Sequence, residues 1–291
     1  MTQFNNLQGK IALVTGSSRG GGRGIALALG EAGATVYVTG RSTRAQSTRA
    51  DVPGTIEDTA DEVTKRGGQG IAVRCDHTLD EDVKALYEQI KREQDTLDIV
   101  VNNAWGGYED YEDVDFQAPF WEQPMTRWDK MFGAGLRAQM VSSRYAMSTF
   151  WLEQKTGLLI NTGVYPDIGG DNPVNVFYDT VKRAVANMSR TMSLNLKANG
   201  LDITALALAP GWMRTEAVLH HYGLQPDDLD FLKVEALQAT ESIEYIGRAV
   251  VALASDPHVH LKAGQLLEAG TLAEEYSFTD IDGRRVPPFR A

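Results

Sequence analysis

The chain has 291 residues, 43% of them hydrophobic and 23% charged, with a net charge of −11. That length holds one large α/β core or two small ones, and the acidic balance argues against a nucleic-acid scaffold. No apolar run is long enough to span a bilayer, residues 1–6 lack a basic-then-apolar signal pattern, and the single cysteine, Cys75, has no partner for an internal disulfide. A cytoplasmic protein with neither nucleic acid nor membrane as partner is expected.

Residues 11–14 form an apolar run of strand length, followed by Thr15, Gly16, Gly20 and Gly22 in the spacing T-G-x-x-x-G-x-G. Ile25, Ala28, Leu29 and Ala32 then recur at helical spacing. Strand, glycine turn and helix together aim helix-terminal N–H groups at a pyrophosphate; a flexible glycine turn is the plainer reading of the glycines alone. Between Arg19 and Arg49 stand five arginines (19, 23, 41, 44, 49) and a single acid, Glu31, a basic patch suited to a phosphate-rich ligand.

Strands and helices alternate along the rest of the chain. Residues 35–39 read as a second strand, a helix starts near Thr55, and residues 70–75 make a third strand. Thr78 to Glu81 has the spacing of a capping box, placing a helix start at Thr78. Residues 99–101 make a fourth strand running into Asn102-Asn103-Ala104. One long helix is predicted over about residues 126–154 and another over 175–198. Strands follow at 158–160, 203–208 and 265–268, with a helix at 243–254. This alternation predicts a doubly wound parallel α/β sheet of about seven strands, covered by helices on both faces in three layers. One domain, 1–291, with a C-terminal tail at about 271–291, is expected.

At the end of the second strand an NAD binder needs an acid for the ribose 2′-hydroxyl, and this chain has Arg41, which suits the 2′-phosphate of NADP. Arg19 reaches toward the same place; an exposed loop arginine is the alternative. Asp76, at the end of the third strand, is placed to accept from an adenine amino group or to open the next helix. Tyr178 and Lys182, four apart, share one helix face. A neighbouring ammonium lowers a tyrosine pKa from about 10 toward neutrality, so the phenol can give its proton to a carbonyl oxygen as hydride reaches carbon. Most Y-x-x-x-K pairs are surface coincidences; the company of the glycine turn, Arg41, Asn102-Asn103-Ala104 and Ala209-Pro210-Gly211 makes coincidence a poor account here.

From Gln8 to Gly270 the chain resembles the short-chain dehydrogenase/reductase family, through Thr15-Gly16-x-x-x-Gly20-x-Gly22, Asn102-Asn103-Ala104, Tyr178-x-x-x-Lys182 and Pro210-Gly211-Trp-Met213-Arg-Thr215. The resemblance implies a Rossmann-like fold, with Gly16, Ser18, Arg19, Gly22, Arg41, Asp76, His77 and Asn103 around NADP(H). It implies Tyr178 as catalytic acid/base and Lys182 as its electrostatic partner and ribose contact, with Pro210, Gly211, Met213 and Thr215 near the nicotinamide. It also implies a homodimer or homotetramer built through the two long helices.

Three departures stand out. Trp105 takes the place of the family's usual glycine after Asn-Asn-Ala, bringing a large ring toward the substrate. Gly135 stands where the family's structural asparagine aligns. The fifth strand ends in Asn161-Thr162-Gly163-Val164-Tyr165 without the family's serine, leaving Thr162 or Tyr165 as substitutes, or Tyr165 as a mere strand end. In the stretch 105–122, six acids between Glu109 and Glu122 are interleaved with Trp105, Tyr108, Tyr111, Phe116, Phe120 and Trp121, a pocket wall for a cationic or amine-bearing substrate or a self-packed Ω-type loop. His258 and His260 lack a third ligand, so no metal is expected. The sequence therefore predicts an NADP(H)-dependent oxidoreductase acting on a small carbonyl or alcohol; the alternative is an NADP-binding protein of the same fold with little redox activity.

Overall fold

The computed structural model describes residues 6–48, 52–108, 114–164, 174–224 and 229–289. The first strand, β1 (Ile11–Thr15), is buried along its whole length. Successive side chains of a strand point to opposite faces. Ala12 and Val14 enter one core and Ile11 and Leu13 the other. A sheet apolar on both faces needs helices on both.

The order along the chain is β1, α1 (Gly20–Glu31), β2 (Thr35–Gly40), α2 (Ile56–Lys65), β3 (Gln69–Arg74), α3 (Asp80–Glu93) and β4 (Ile99–Asn102). Then come α4 (Met125–Phe132), α5 (Ala138–Ala146), α6 (Leu152–Gln154), β5 (Thr156–Thr162), α7 (Val176–Ala198) and β6 (Asp202–Ala209). The chain finishes with β7 (Met213–Arg214), α8 (Glu216–His221), β8 (Glu241–Ser242), α9 (Ile243–Ser255), β9 (Leu266–Glu268) and α10 (Ala269–Tyr276). Seven strands pair in the order β3-β2-β1-β4-β5-β6-β9, all in parallel, and β7 pairs with β8 apart from them. Ile25 and Leu29 of α1, Val63 of α2, Ile246 and Val250 of α9 and Leu272 of α10 fill one face. Val83 and Leu86 of α3, Phe150 and Trp151 just before α6, and Leu196 of α7 fill the other. The doubly wound, three-layered sheet expected from the alternation is the one found. Its order reverses between β1 and β4, the switch point where such sheets open a crevice at their carboxyl ends.

Three local expectations change. The helix expected over about 126–154 is α4, α5 and α6 joined by π-helical turns at Gly133–Arg137 and Met147–Trp151. Thr78 does not cap α3, which starts two residues later. Its hydroxyl donates instead to Asp76 Oδ1 (2.7 Å), a local bond that competes with capping. The stretch expected as a tail begins with α10. Beyond it the chain folds back, with Tyr245 donating to the Val286 carbonyl (2.8 Å) and Ser242 N–H to Asp280 (2.8 Å).

Candidate active site

The glycine turn is held from behind by the end of β4. Thr15 Oγ1 accepts from the backbone N–H groups of Asn103 (2.9 Å) and Ala104 (3.0 Å). Asn103 Nδ2 donates back to the carbonyls of Thr15 (3.2 Å) and Gly16 (3.0 Å). A Cβ on Gly22 would lie 2.2 Å from the Gly16 carbonyl oxygen and 2.4 Å from Asn103 Nδ2. Only glycine therefore lets α1 start this close to the strand ends.

The loop after β6 crosses that end. Pro210 and Gly211 lead into β7. Met213 lies against Gly21, and the methyl of Thr215 is 3.7 Å from where a Cβ of Gly20 would stand. Thr215 also caps α8, accepting from Val218 N–H. The residue after it, Glu216, is one the motifs did not single out: its Oε2 accepts from Gly20 N–H (2.8 Å), and its Oε1 lies 3.8 Å from Arg23 Nη1. Negative charge is favoured at the amino end of a helix. Arg23 Nε and Glu216 Oε1 are buried without a hydrogen-bond partner. A helix amino end where a carboxylate already sits, an arginine and its orphaned Nε donor fit the pyrophosphate of a dinucleotide.

At the far side of β1, Arg19 Nη2 donates to Ser42 Oγ (2.9 Å) and to the Gly54 carbonyl (2.9 Å), drawing the loop after β2 onto the turn. A Cβ on Gly54 would meet the Ser18 carbonyl at 2.4 Å. Arg41 precedes Ser42, and its Nη1 is 3.8 Å from Asp76 Oδ2. Burial alone would raise the Asp76 carboxyl, but the Thr78 hydroxyl and amide, with Arg41, outweigh it and hold it below the usual carboxylate range. The His77 side chain is turned into the core: Nε2 meets Thr39 Oγ1 at 2.8 Å, and burial pushes the ring down to about 4, so it is neutral. Arg44 is paired with Asp58 and Asp61 of α2; Arg49 lies outside the described residues. Cys75 is buried, and desolvation pushes its thiol up to about 12, which leaves it inert.

The second constellation sits on α7. Asn175 caps this helix, accepting from the N–H groups of Phe177 (3.0 Å) and Tyr178 (3.1 Å). One turn separates Tyr178 from Lys182. Lys182 Nζ lies 3.9 Å from the ring centroid of Trp105 and 5.7 Å from that of Tyr178. The Trp105 ring fills the space above the first π-helical turn, where a Cβ on Gly135 would come within 2.4 Å of its Cζ3. Trp105 and Gly135 are thus packing partners: a large ring on one side and no side chain on the other. Trp105 Nε1 is buried without a partner.

Rings close around the tyrosine. Trp105 meets Tyr178 edge-on (centroids 5.4 Å apart) and Tyr108 at 5.8 Å; Tyr108 meets Phe116 at 5.9 Å, and Phe116 meets Tyr178 at 5.7 Å. The Tyr108 and Tyr178 side chains are hydrogen-bonded to each other. Gly107 makes this placement possible: at φ +96 it takes a backbone conformation open to glycine, and a Cβ there would strike Met131 Cγ at 2.5 Å. Phe116 is fixed by polar groups under its loop. Buried Arg127 donates to the Val114 carbonyl (2.8 Å), Gln123 to those of Asp115, Phe116 and Ala118, and Asn175 to that of Phe116 (2.9 Å). The described part of the aromatic loop is therefore self-packed, while Phe120 and Trp121 remain exposed. Residues 109–113, which carry four of its acids, lie outside the described residues.

The electrostatics differ from the sequence expectation. A neighbouring ammonium was expected to lower the tyrosine. Burial instead pushes Tyr178 up to about 12, against the donor hydrogen bond from Tyr108, and desolvation pushes Lys182 down to about 7. In so apolar a pocket both groups prefer their neutral forms. Glu241, likewise unanticipated, is buried beneath Gly211 and pushed up to about 8 by desolvation, the Gly211 N–H opposing. Thr162 Oγ1 is buried and donates to the Asn102 carbonyl at 3.3 Å, and Tyr165 lies outside the described residues. Among the described residues no group of three or more His, Cys, Asp or Glu is placed to hold a metal ion.

A sheet with this order, a glycine turn at the switch point and a Tyr–Lys pair beside it define a dinucleotide-binding oxidoreductase of the doubly wound class. The short chain dehydrogenase family profile matches residues 10–221, and the chain belongs to that family, whose members are oxidoreductases that use a nicotinamide cofactor. It is 35% identical over 288 residues to dehydrogenase/reductase SDR family member 1 of Mus musculus, covering 97% of this chain and 87% of the relative. The fold resembles that of a 7α-hydroxysteroid dehydrogenase complexed with NADH and a 7-oxo bile acid conjugate (TM-score 0.71, 24% identity, 92% of this chain and 96% of the other). It also resembles a Beutenbergia cavernae protein described as NAD(P) dependent, with bound NADP at low occupancy (TM-score 0.69, 25% identity, 91% and 96%). No helix among the described residues is long and apolar enough to cross a membrane.

Proposed function

We propose that this chain is a single catalytic domain that uses NADP(H) to interconvert a small carbonyl compound and its alcohol. The observation that carries the reading is the Tyr178–Lys182 pair, one helical turn apart, against Trp105 at the end of the cofactor-binding strand β4. When bound, the nicotinamide supplies or accepts the hydride. Tyr178 holds the proton that the carbonyl oxygen takes up, and its high pKa keeps that proton on the phenol until negative charge develops. Lys182 gains its charge when an anionic group enters the pocket, and it then steadies both the ribose and the phenolate left behind. Trp105, Tyr108 and Phe116 exclude water from the oxygen.

Preference for the 2′-phosphate is supported by two guanidiniums bordering one turn, Arg41 directly and Arg19 through Ser42. Asp76 borders the adenine side. Gly16, Ser18, Gly22 and Asn103 form the cradle; Pro210, Gly211, Met213 and Thr215 border the nicotinamide end. Arg41→Asp is expected to weaken NADPH binding about tenfold or more, the value of a charge-assisted hydrogen bond, and to leave NADH binding far less changed. Equal affinity of the native protein for NADH and NADPH would contradict this assignment.

The second reading, dinucleotide binding without redox turnover, is favoured by one set of observations. No serine lies between Ser148 and Ser189, position 135, where we place the family's asparagine, is a glycine, and the Thr162 hydroxyl is engaged by Asn102. NADPH oxidation against a panel of aldehydes and ketones, run beside NADPH binding by fluorescence, separates the two. Binding with turnover of at least one carbonyl supports the first reading; binding with none across a broad panel supports the second.

A further inference from the structure

We propose that Tyr108 is the second hydroxyl of this active site, donating a hydrogen bond to the substrate oxygen beside the one from Tyr178. The inference rests on the carbonyl-reductase reading above and deepens it. A carbonyl being reduced gathers negative charge on oxygen, and two donors meet that charge better than one. Among the described residues the strand end supplies no second donor: the Thr162 hydroxyl points at a backbone carbonyl of β4, and Tyr165 lies outside the described residues. A hydroxyl does reach Tyr178 from another element. Tyr108, carried over α7 by the left-handed turn at Gly107, is hydrogen-bonded to Tyr178. Its ring is wedged between Trp105 and Phe116, and Asn175, Gln123 and Arg127 anchor the loop of Phe116. The hydroxyl is thus delivered by packed rings.

Without substrate the two phenols bond to each other. A carbonyl oxygen inserted between them accepts from both. The C=O π bond then breaks as a hydride, from the reduced nicotinamide dinucleotide, bonds to carbon. The oxygen takes the Tyr178 proton and becomes the alcohol. Tyr108 keeps its own proton, first donating to the charged oxygen and then to the Tyr178 phenolate, which is reprotonated from solvent.

Tyr108→Phe keeps the ring contacts and removes only the hydroxyl. The test compares it with Tyr178→Phe on a carbonyl that the native enzyme reduces, and measures the same carbonyl by calorimetry on the complex with oxidised dinucleotide, where no hydride can be delivered. For Tyr108→Phe the expected result is a kcat lower by about a hundredfold or more, carbonyl binding weakened several-fold, and dinucleotide affinity unchanged. Tyr178→Phe is expected to be inactive. Full kcat in Tyr108→Phe with an inactive Tyr178→Phe overturns this inference and leaves the reductase reading standing. Full kcat in Tyr178→Phe overturns both. If Tyr108→Phe loses dinucleotide affinity as well, the tyrosine is structural and the inference falls.

Discussion

Lys182 lies over the face of Trp105 with 8% of its surface exposed, and desolvation lowers its pKa to about 7. An unfolded lysine titrates at about 10.4. Below the folded value both states carry the proton, and the folded protein bears the full cost of a buried ammonium. Between about 7 and about 10.4 the unfolded chain binds more protons than the native one, so this residue's contribution to stability rises with pH, and above that window the cost is gone. Lys182→Met is therefore expected to be more stable than the native protein at pH 7, with the gain shrinking toward pH 10. Urea unfolding of the cofactor-free proteins at both pH values reads this. A difference that stays constant with pH would mean that the folded lysine keeps the pKa of the unfolded chain, its ammonium solvated. The same apolar surroundings explain why the tyrosine is not activated in the way its spacing with a lysine suggests. Spacing shows that two groups share a helix face, but the sequence does not show how much water reaches them.

The helices around the site show what periodicity can and cannot carry. The apolar spacing over residues 126–154 marks one helical stretch, and that stretch exists. The first of its two π-helical turns lies where the Trp105 ring packs on Gly135, and a periodic pattern holds no trace of such a contact. Thr78 failed as a cap for a similar reason, since Asp76 two residues earlier claims its hydroxyl. Glu216 escapes notice because it belongs to no spaced motif, and from sequence Tyr108 reads only as one aromatic of a candidate pocket wall; each reaches the site from a loop or a short helix. The Trp105–Gly135 contact is open to a double-mutant cycle. Gly135→Ala places a Cβ 2.4 Å from the indole and is expected to destabilise the native protein by about 1–3 kcal/mol, as overpacking does. In a Trp105→Gly background the same substitution is expected to cost close to nothing, the difference being the coupling between the two positions. Equal costs in both backgrounds would show that the ring does not press on this turn.

At the scale of the molecule, alternation alone was enough to give the sheet, its two covered faces and the switch point, because every parallel strand here is apolar on both sides and each crossover is helical. The C-terminal stretch was read only as a tail, since its anchors, Val286 in the core and Asp280 on Ser242, are single residues without period. Association is a further property at this scale. Met140 and Met147, Met192 of α7, and Leu152 line a cavity of about 350 Å³ between α5 and α7 that reaches Leu159 of β5 and Ile203 of β6, and Met140, Leu152 and Leu194 are exposed. We propose that these faces pair in a homodimer or homotetramer across an isologous interface. Light scattering at micromolar concentration is expected to show at least a dimer, and Met140→Lys a monomer of native helical content. A native protein that is monomeric under these conditions would contradict the proposal.

The central claim is that Tyr178 protonates a carbonyl oxygen as hydride reaches its carbon. Isotope transfer tests it most directly: NADPH deuterated at the reactive nicotinamide carbon is incubated with a reducible carbonyl, and the product alcohol is analysed by mass spectrometry and NMR. Deuterium is expected on the carbinol carbon with the native protein, and none above background with Tyr178→Phe, although that variant binds NADPH as tightly. Deuterium delivered by Tyr178→Phe at the native rate would contradict the claim.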